Sequence, residues 1–188
     1  MGTRRGFSRN IFLLLPLLQI SGCGKEEERR AIPISFDHVR WASFPVELKA
    51  ESSLIEDETK RRDLNEAMGF WERMAGKPLF HIEGEWTGPG LPYSGPAEGP
   101  NSISANVVLL RPEDSEEKGI AGLTSLRVTG NIITGAVILV TPGTHFCTGS
   151  CEGEEDATSF RRLLAHELGH FLGLGHSSEK ENIMYPSI

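Results

Sequence analysis

Three histidines near the end of the chain have the spacing of ligands to a single metal ion. His166 and His170 are four residues apart in a segment that is expected to be helical, so both imidazoles project from one face. Gly173 can adopt a positive φ, which ends the helix and lets His176 return to the same point as a third ligand. Three protein ligands that leave a fourth position for water are typical of a catalytic zinc centre. The pattern therefore predicts a Zn²⁺ site.

Glu167 has the position and the chemistry of a general base at this centre. It directly follows His166, so it can reach a water on the metal without being a ligand itself. Zinc lowers the pKa of its water to about 7, and a nearby carboxylate can accept the proton as hydroxide attacks a peptide carbonyl. A bare H-E-x-x-H pattern arises by chance, but here a glycine turn and a third histidine accompany it. Together they predict zinc binding at a catalytic centre with Glu167 as its base.

Residues 165–176 resemble the zinc-binding signature of the metzincins at the three histidines, the glutamate and the inner glycine. Residues 183–186 resemble the Met-turn of that clan, and the distance from His176 to Met184 is similar to that in the matrixin branch. The resemblance implies an α+β fold, with a twisted mixed sheet, a long backing helix, an active-site helix and a C-terminal subdomain reduced to the Met-turn. It implies a zinc endopeptidase with one catalytic Zn²⁺. Calcium is not indicated by this sequence. Met184 would support the site without binding the metal.

The same resemblance implies where a protein or peptide substrate would bind. An extended substrate would pair its backbone with an exposed edge of the sheet. The residues expected at that edge are Ala121, Gly122, Leu123 and Thr124.

A second function is compatible with the same residues. The protein could be a tethered binding module that keeps the zinc site and does not turn over a substrate. The presence of Glu167 favours the enzyme, because a binding module needs no base. The short segment after Pro186, where matrixin catalytic domains continue into a helix, would favour the binding module.

Hydrophobic periodicity indicates the elements that must hold the site. We expect a first strand within residues 34–48, then a helix that follows a capping box of Ser53 and Glu56 and ends at Gly76. A second helix over residues 158–172, with Asp156 or Thr158 as its cap, would carry the first two histidines. The other expected strands are residues 79–83, 103–110, 122–128 and 132–140, and the last two form a hairpin.

The first 33 residues indicate export. Residues 1–22 combine a basic start, a short apolar run and small residues, as in a secretory signal peptide. Residues 20–23 resemble the bacterial lipobox, which implies cleavage before Cys23 and its lipidation. Residues 23–33 would then be a charged tether, with the zinc protease domain at residues 34–188. We expect a membrane-anchored lipoprotein on the periplasmic or extracellular side of a bacterial cell; an ordinary signal peptide is the alternative.

The remaining cysteines and the composition agree with one exported domain. Cys147 and Cys151 are expected to form a local disulfide, since an exported protein enters an oxidising compartment. A metal–thiolate site is the alternative, but no second pair of cysteines or histidines lies nearby in sequence. The 188 residues carry a formal net charge of −7, so there is no basic excess to neutralise phosphates. Nucleic acid is therefore not an expected partner.

Overall fold

The computed structural model describes residues 34–35, 39–88, 103–110, 121–141, 146–152 and 157–186. The predicted signal peptide and tether, including Cys23, lie outside these ranges. The strands in chain order are β1 (Ile34–Ser35), β2 (Arg40–Trp41), β3 (Val46–Ala50), β4 (Phe80–Glu85), β5 (Val107–Leu110), β6 (Gly122–Thr129), β7 (Ile132–Val140), β8 (Phe146–Cys147), β9 (Thr158–Ser159) and β10 (Leu174–Gly175). The helices are α1 (Ser52–Glu56), α2 (Glu58–Ala75) and α3 (Phe160–Phe171).

Strand β7 lies at the centre of the main sheet, and apolar side chains cover both of its faces. It pairs in parallel with β5 and β2 and antiparallel with β6, while β3 lies in parallel between β5 and β4. Gly130, with φ of 62°, makes the tight turn between β6 and β7 that the sequence predicts. The prediction of a mixed sheet with a long helix is confirmed, and a second helix, α3, carries His166 and His170.

The apolar run in β7 is explained by two separate clusters of buried side chains. One cluster lies between the sheet and the helices and includes Ile138 and Val140. The other lies on the opposite face, where Val137 and Leu139 pack with Ile103 and other residues. A strand that is buried on both faces reads as a continuous hydrophobic run rather than as an alternating one.

The predicted first strand over residues 34–48 is wrong as a single element. The structure divides this region into β1, β2 and β3, and β3 continues to Ala50. Pro45 lies directly before β3 and has no backbone N–H, so it cannot extend a hydrogen-bonded ladder through this point. The alternation of apolar residues predicted the extended backbone but not the break.

The predicted capping box of Ser53 and Glu56 is also wrong. These two residues belong to the short helix α1, which is separate from the long helix. The long helix α2 is capped by Asp57, whose carboxylate accepts hydrogen bonds from the backbone N–H groups of Thr59 and Lys60 at 2.9 and 3.1 Å. It ends at Gly76 as predicted, with a left-handed φ of 65°.

Two buried tryptophans hold the active-site helix against the rest of the domain. Trp71 of α2 donates its indole N–H to the carbonyl oxygen of Ala165 in α3 at 2.7 Å. Trp41 of β2 donates its indole N–H to the carbonyl oxygen of Phe171 at 2.7 Å and stacks on the ring of that residue. Helix α3 is therefore tied near its middle to a helix and at its end to the sheet. Within the described residues, no helix is long and apolar enough to cross a membrane.

The substitution Trp71→Phe should destabilise the domain. It removes the hydrogen bond to Ala165 and part of a ring that is 95% buried. We expect the free energy of unfolding, measured by urea denaturation, to fall by about 1–3 kcal/mol. Met74→Ala is the control on the same helix, because Met74 is half exposed, and it should change stability by less than about 0.5 kcal/mol. Equal stability of the Trp71→Phe variant and the parent would contradict the role given to this bond.

Candidate metal centre

Helix α3, which carries the first two histidines, begins at Phe160, two residues later than predicted. Its cap is Ser159, whose hydroxyl accepts a hydrogen bond from the backbone N–H of Arg162 at 3.4 Å. The prediction of Thr158 as the cap is wrong, because Thr158 lies in β9 and pairs with β8. Asp156, the other predicted cap, lies outside the described residues. Serine and threonine are both good caps, so the sequence alone did not separate neighbouring positions.

The structure brings the three predicted ligands together. The Nε2 atom of His170 lies 3.1 Å from the Nε2 atom of His166 and 3.1 Å from that of His176. A tetrahedral zinc ion with Zn–N bonds of about 2.0–2.1 Å holds its ligand nitrogens about 3.3 Å apart. Among the described residues, these three histidines form a cluster that could bind a metal ion, because their ligand atoms all lie within 4.8 Å of one another.

Backbone carbonyl groups orient two of the imidazoles. The Nδ1 atom of His166 lies 2.8 Å from the carbonyl oxygen of Ile183, and that of His170 lies 2.8 Å from the carbonyl oxygen of Leu174. A neutral imidazole carries one ring proton, and a carbonyl can only accept, so the proton of each ring is on Nδ1. Both Nε2 atoms then direct lone pairs toward the same point. Lone pairs at this distance repel unless a cation lies between them, so the donor set fits a metal such as Zn²⁺.

Burial keeps these imidazoles in the neutral form that binds metal. Desolvation lowers the pKa of His166 to about 4, and it also lowers the pKa of His170. The positive charges that the neighbouring histidines would carry act in the same direction. Protons therefore compete poorly for the two nitrogens near neutral pH.

Gly173 makes the turn that returns the chain to the metal centre. Its φ is 93°, and its backbone N–H donates to the carbonyl oxygen of His170 at 2.8 Å. A Cβ atom at this position would lie 2.7 Å from the backbone oxygen of Val39, so both the conformation and the space require glycine. Strand β10 follows, pairs with β1, and leads directly into His176.

Met184 packs against helix α3 and is fully buried. A Cβ atom on Gly169 would collide with its Sδ atom, so the turn and the helix are in direct contact between the two helical histidines. The turn is shaped by Asn182, which the sequence analysis missed. Its side-chain oxygen accepts a hydrogen bond from the backbone N–H of Met184 at 2.9 Å. An asparagine two residues before the bonded amide is a recognisable turn signal, and it could have been found.

Glu167 directly follows His166 in α3, and its carboxylate is buried against the sheet. The side chain is 4% exposed, and the Thr124 hydroxyl donates a hydrogen bond to its Oε2 atom at 2.6 Å. Desolvation raises the pKa of Glu167 to about 7, and the hydrogen bond from Thr124 opposes this rise. A carboxyl group with a pKa near the working pH can both accept and release a proton. Sequence reasoning placed Thr124 at the substrate edge and did not assign it this contact.

The four predicted substrate-edge residues lie at and next to the start of β6. Among the described strands, β6 pairs with β7 alone, so its other edge is free of a described partner. Gly122 and Thr124 face Glu167, whereas Leu123 is 37% exposed. Ala121 precedes the strand, and its carbonyl oxygen accepts from the backbone N–H of Thr141. The four residues therefore do not share one orientation.

A disulfide joins Cys147 to Cys151, with Cα atoms 5.4 Å apart. The small loop that it closes contacts helix α2, since the backbone N–H of Gly149 donates to the buried carboxylate of Asp63 at 3.0 Å. Cys147 also belongs to β8, which pairs with β9 immediately before α3. The disulfide loop thus lies beside the start of the active-site helix.

Comparison with known proteins agrees with this geometry. Residues 114–188 match the matrixin family model of the M10 peptidases. The C-terminal part of the chain is matrixin-like. The matrixin-like region contains α3, the three histidines and the turn at Met184.

Short segments are similar to matrixin-type enzymes of animals and plants. The chain is 50% identical over 36 residues to matrilysin of Rattus norvegicus, which is 19% of this chain and 14% of that protein. It is 56% identical over 32 residues to metalloendoproteinase 2-MMP of Arabidopsis thaliana, which is 17% of this chain and 8% of that protein. It is 50% identical over 34 residues to metalloendoproteinase 1-MMP of the same plant, covering 18% and 9% of the two chains. The matched segments therefore span a small part of these relatives.

The raised pKa of Glu167 makes the stability of the metal-free protein depend on pH. The pKa rises from 4.5 to about 7 on folding, so the protonated form is favoured by the folded state. Its contribution to stability is complete below pH 4.5 and is lost as the pH rises through about 7. Glu167→Gln removes this dependence. We expect the metal-free variant to be more stable than the parent at pH 8, on the order of 3 kcal/mol, and to lose that advantage at pH 4.5.

Thermal unfolding of metal-free protein at the two pH values measures this difference. Glu181→Gln is the control, because Glu181 is exposed on the chain that follows the site. Its difference from the parent should be the same at both pH values. A Glu167→Gln variant whose difference from the parent did not change with pH would contradict the burial argument.

Proposed function

We propose that the protein is a zinc-dependent endopeptidase. One observation carries the proposal: Glu167, which is buried, directly follows in α3 the first of three histidines whose ligand nitrogens converge. A closed structural zinc site has four protein ligands and no need of an adjacent base. The matrixin-like sequence over residues 114–188 supports the same function. A peptide substrate is the partner that this reaction requires.

The histidines and Glu167 have separate roles in the proposed reaction. His166, His170 and His176 would hold the ion, which when bound supplies Lewis-acid polarisation of the peptide carbonyl and the attacking water. Glu167 accepts a proton from that water as the water oxygen bonds to the carbonyl carbon. The proton then passes to the nitrogen of the leaving amine as the C–N bond breaks. Glu167 returns to a carboxylate, and one water has been added across the peptide bond.

Among the described strands β6 pairs only with β7, and its other edge supports an extended binding mode for the substrate. An exposed strand edge presents unpaired N–H and C=O groups, and a peptide can add to it as a further strand. Glu167 lies against the inner face of the same strand. A peptide paired with β6 would therefore place its carbonyl groups at the level of the base and the three histidines.

The catalytic role of Glu167 is tested by Glu167→Ala. This variant should retain about one zinc per chain, because the three ligands are unchanged, and its peptide hydrolysis should be about 10²–10⁴-fold slower. Glu181→Ala is the matched control and should have the activity of the parent. A chelator should abolish the activity of the parent, and added zinc should restore it. Parental activity in Glu167→Ala would contradict the mechanism, and zinc bound without any chelator-sensitive cleavage would indicate a binding module instead.

We also propose that the protein is exported and attached to a membrane by lipid on Cys23. The proposal is supported by the signal-like residues 1–22 and by the lipobox-like residues 20–23. The disulfide between Cys147 and Cys151 is compatible with an oxidising compartment outside the cytoplasm. The lipid would hold the protease at a membrane surface on the periplasmic or extracellular side.

Lipid attachment is tested by Cys23→Ala in a bacterial host. The parent should be found in the membrane fraction and should incorporate a labelled fatty acid, since acyl chains anchor by burying methylene groups in the bilayer. The variant should lose the label and leave the membrane fraction. Equal labelling of the two proteins would rule out this anchor. An unlabelled parent released in soluble form would instead indicate an ordinary signal peptide.

A further inference from the structure

The carboxylate of Glu167 is held by the sheet rather than by its own helix. The Oγ1 atom of Thr124, in β6, lies 2.6 Å from Oε2 of Glu167 and 3.1 Å from the main-chain oxygen of the same residue. Glu167 is buried, so few waters are available to fix the carboxylate in place of this contact. The hydroxyl of Thr124 is thus hydrogen-bonded to the carboxylate that is proposed to accept a proton from the attacking water.

Gly122 clears the space on the other side of this carboxylate. A Cβ atom at Gly122 would lie 2.6 Å from Oε1 of Glu167 and 2.9 Å from its Cδ atom. Gly122 and Thr124 are two residues apart on one strand, so they share the face that is turned toward helix α3. The strand therefore lies against both carboxylate oxygens: Thr124 is hydrogen-bonded to Oε2, and Oε1 occupies the space that a side chain at Gly122 would need.

We propose that Thr124 is a positioning residue for catalysis, which holds Oε2 of Glu167 so that Oε1 accepts the proton from the attacking water, while Gly122 provides the space that Oε1 occupies. The proposal rests on the peptidase function proposed above and adds the residues that orient its base.

The hydrogen-bonding capacity of a hydroxyl suits this role through the whole reaction. The Thr124 proton is donated to Oε2, which occupies one lone pair of that oxygen and leaves Oε1 as the better acceptor for the proton of water. When Oε1 has taken that proton, Oε2 is a carbonyl oxygen and still accepts from Thr124. The carboxyl group can then return the proton to the leaving amine from the same orientation. The contact therefore persists in both protonation states of Glu167.

The position of Thr124 also links the base to the proposed substrate edge. The inner face of β6 holds Glu167, whereas the free backbone edge of the same strand is where a peptide would add. One rigid strand thus sets both the position of the substrate backbone and that of the base. Loss of the hydroxyl should disturb the base and leave the edge intact, so the effect should appear in kcat rather than in KM.

The proposal is tested with two pairs of side chains, and the members of each pair differ in a hydroxyl group. Thr and Val at position 124 have nearly the same shape, and so do Ser and Ala. Each variant is prepared with zinc, and kcat and KM are measured with a fluorogenic peptide together with zinc content and thermal unfolding. We expect Thr124→Val and Thr124→Ala to lower kcat about 10–100-fold with KM within about twofold of the parent and zinc retained. Thr124→Ser should stay within about threefold of the parental kcat.

Two further variants on β6 complete the experiment. Gly122→Ala should lower kcat because the added methyl group displaces the Glu167 carboxylate. Ser125→Ala is the control, since the residue next to Thr124 points to the opposite face of the strand, and it should keep the parental kcat. The Ser and Ala variants keep the test valid if valine at position 124 prevents folding.

The outcomes separate this inference from the proposed function. An active parent with Thr124→Val or Thr124→Ala at parental kcat would overturn the role of Thr124 alone. The same conclusion would follow if Thr124→Ser were as slow as Thr124→Ala, or if the loss were confined to KM or to zinc content. A zinc-loaded parent that cleaved no peptide would overturn the proposed function, and the inference would fail with it.

Discussion

The two backbone carbonyl groups that accept the Nδ1 protons determine what the three histidines can do. A histidine four residues from another on a helix can turn its ring in several ways, and most of these do not present Nε2 to a common point. The carbonyl oxygens of Ile183 and Leu174 select one ring orientation and one tautomer for His166 and His170. Both carbonyl groups come from the chain after α3. The candidate metal centre therefore needs the helix, which carries the two histidines, and the two turns after it, which orient their rings.

The rest of the domain keeps this arrangement at a fixed distance from the sheet. Hydrogen bonds from Trp71 and Trp41 attach α3 to a helix on one side and to a strand on the other. Glu167 belongs to α3 by sequence, yet its carboxylate is hydrogen-bonded to β6. The positions of the histidines and of the Glu167 carboxylate thus depend on different parts of the fold. A shift of α3 relative to the sheet would change the position of Glu167 more directly than it would change the relation between His166 and His170.

The sequence predicted the parts of the structure that depend on local spacing. The central strand over Ile132–Val140, the hairpin turn at Gly130 and the end of α2 at Gly76 follow from apolar runs and from glycine. The convergence of the three histidines follows from helical geometry and the flexibility of Gly173. The caps were less predictable, because Ser53, Asp57, Thr158 and Ser159 are all suitable residue types and the choice depends on where tertiary packing begins the helix.

Contacts between distant segments could not be read from the sequence. Thr124 lies 43 positions before Glu167, and threonine in a strand ordinarily indicates no more than a β-branched residue. Its role depends on how β6 packs against α3, and that follows from the register of the whole sheet. The hydrogen bond from Trp71 to Ala165 joins two helices whose packing no hydrophobic periodicity describes.

The contact between Gly169 and Met184 has a consequence for how such chains diverge. The two residues share one volume, since a side chain at 169 would occupy the space of the methionine sulfur. Trp71 closes the same space from helix α2, so it cannot simply expand. A larger residue in the helix is therefore tolerated only with a smaller one in the turn. The two positions should be inherited as a pair, even where the intervening chain accepts many substitutions.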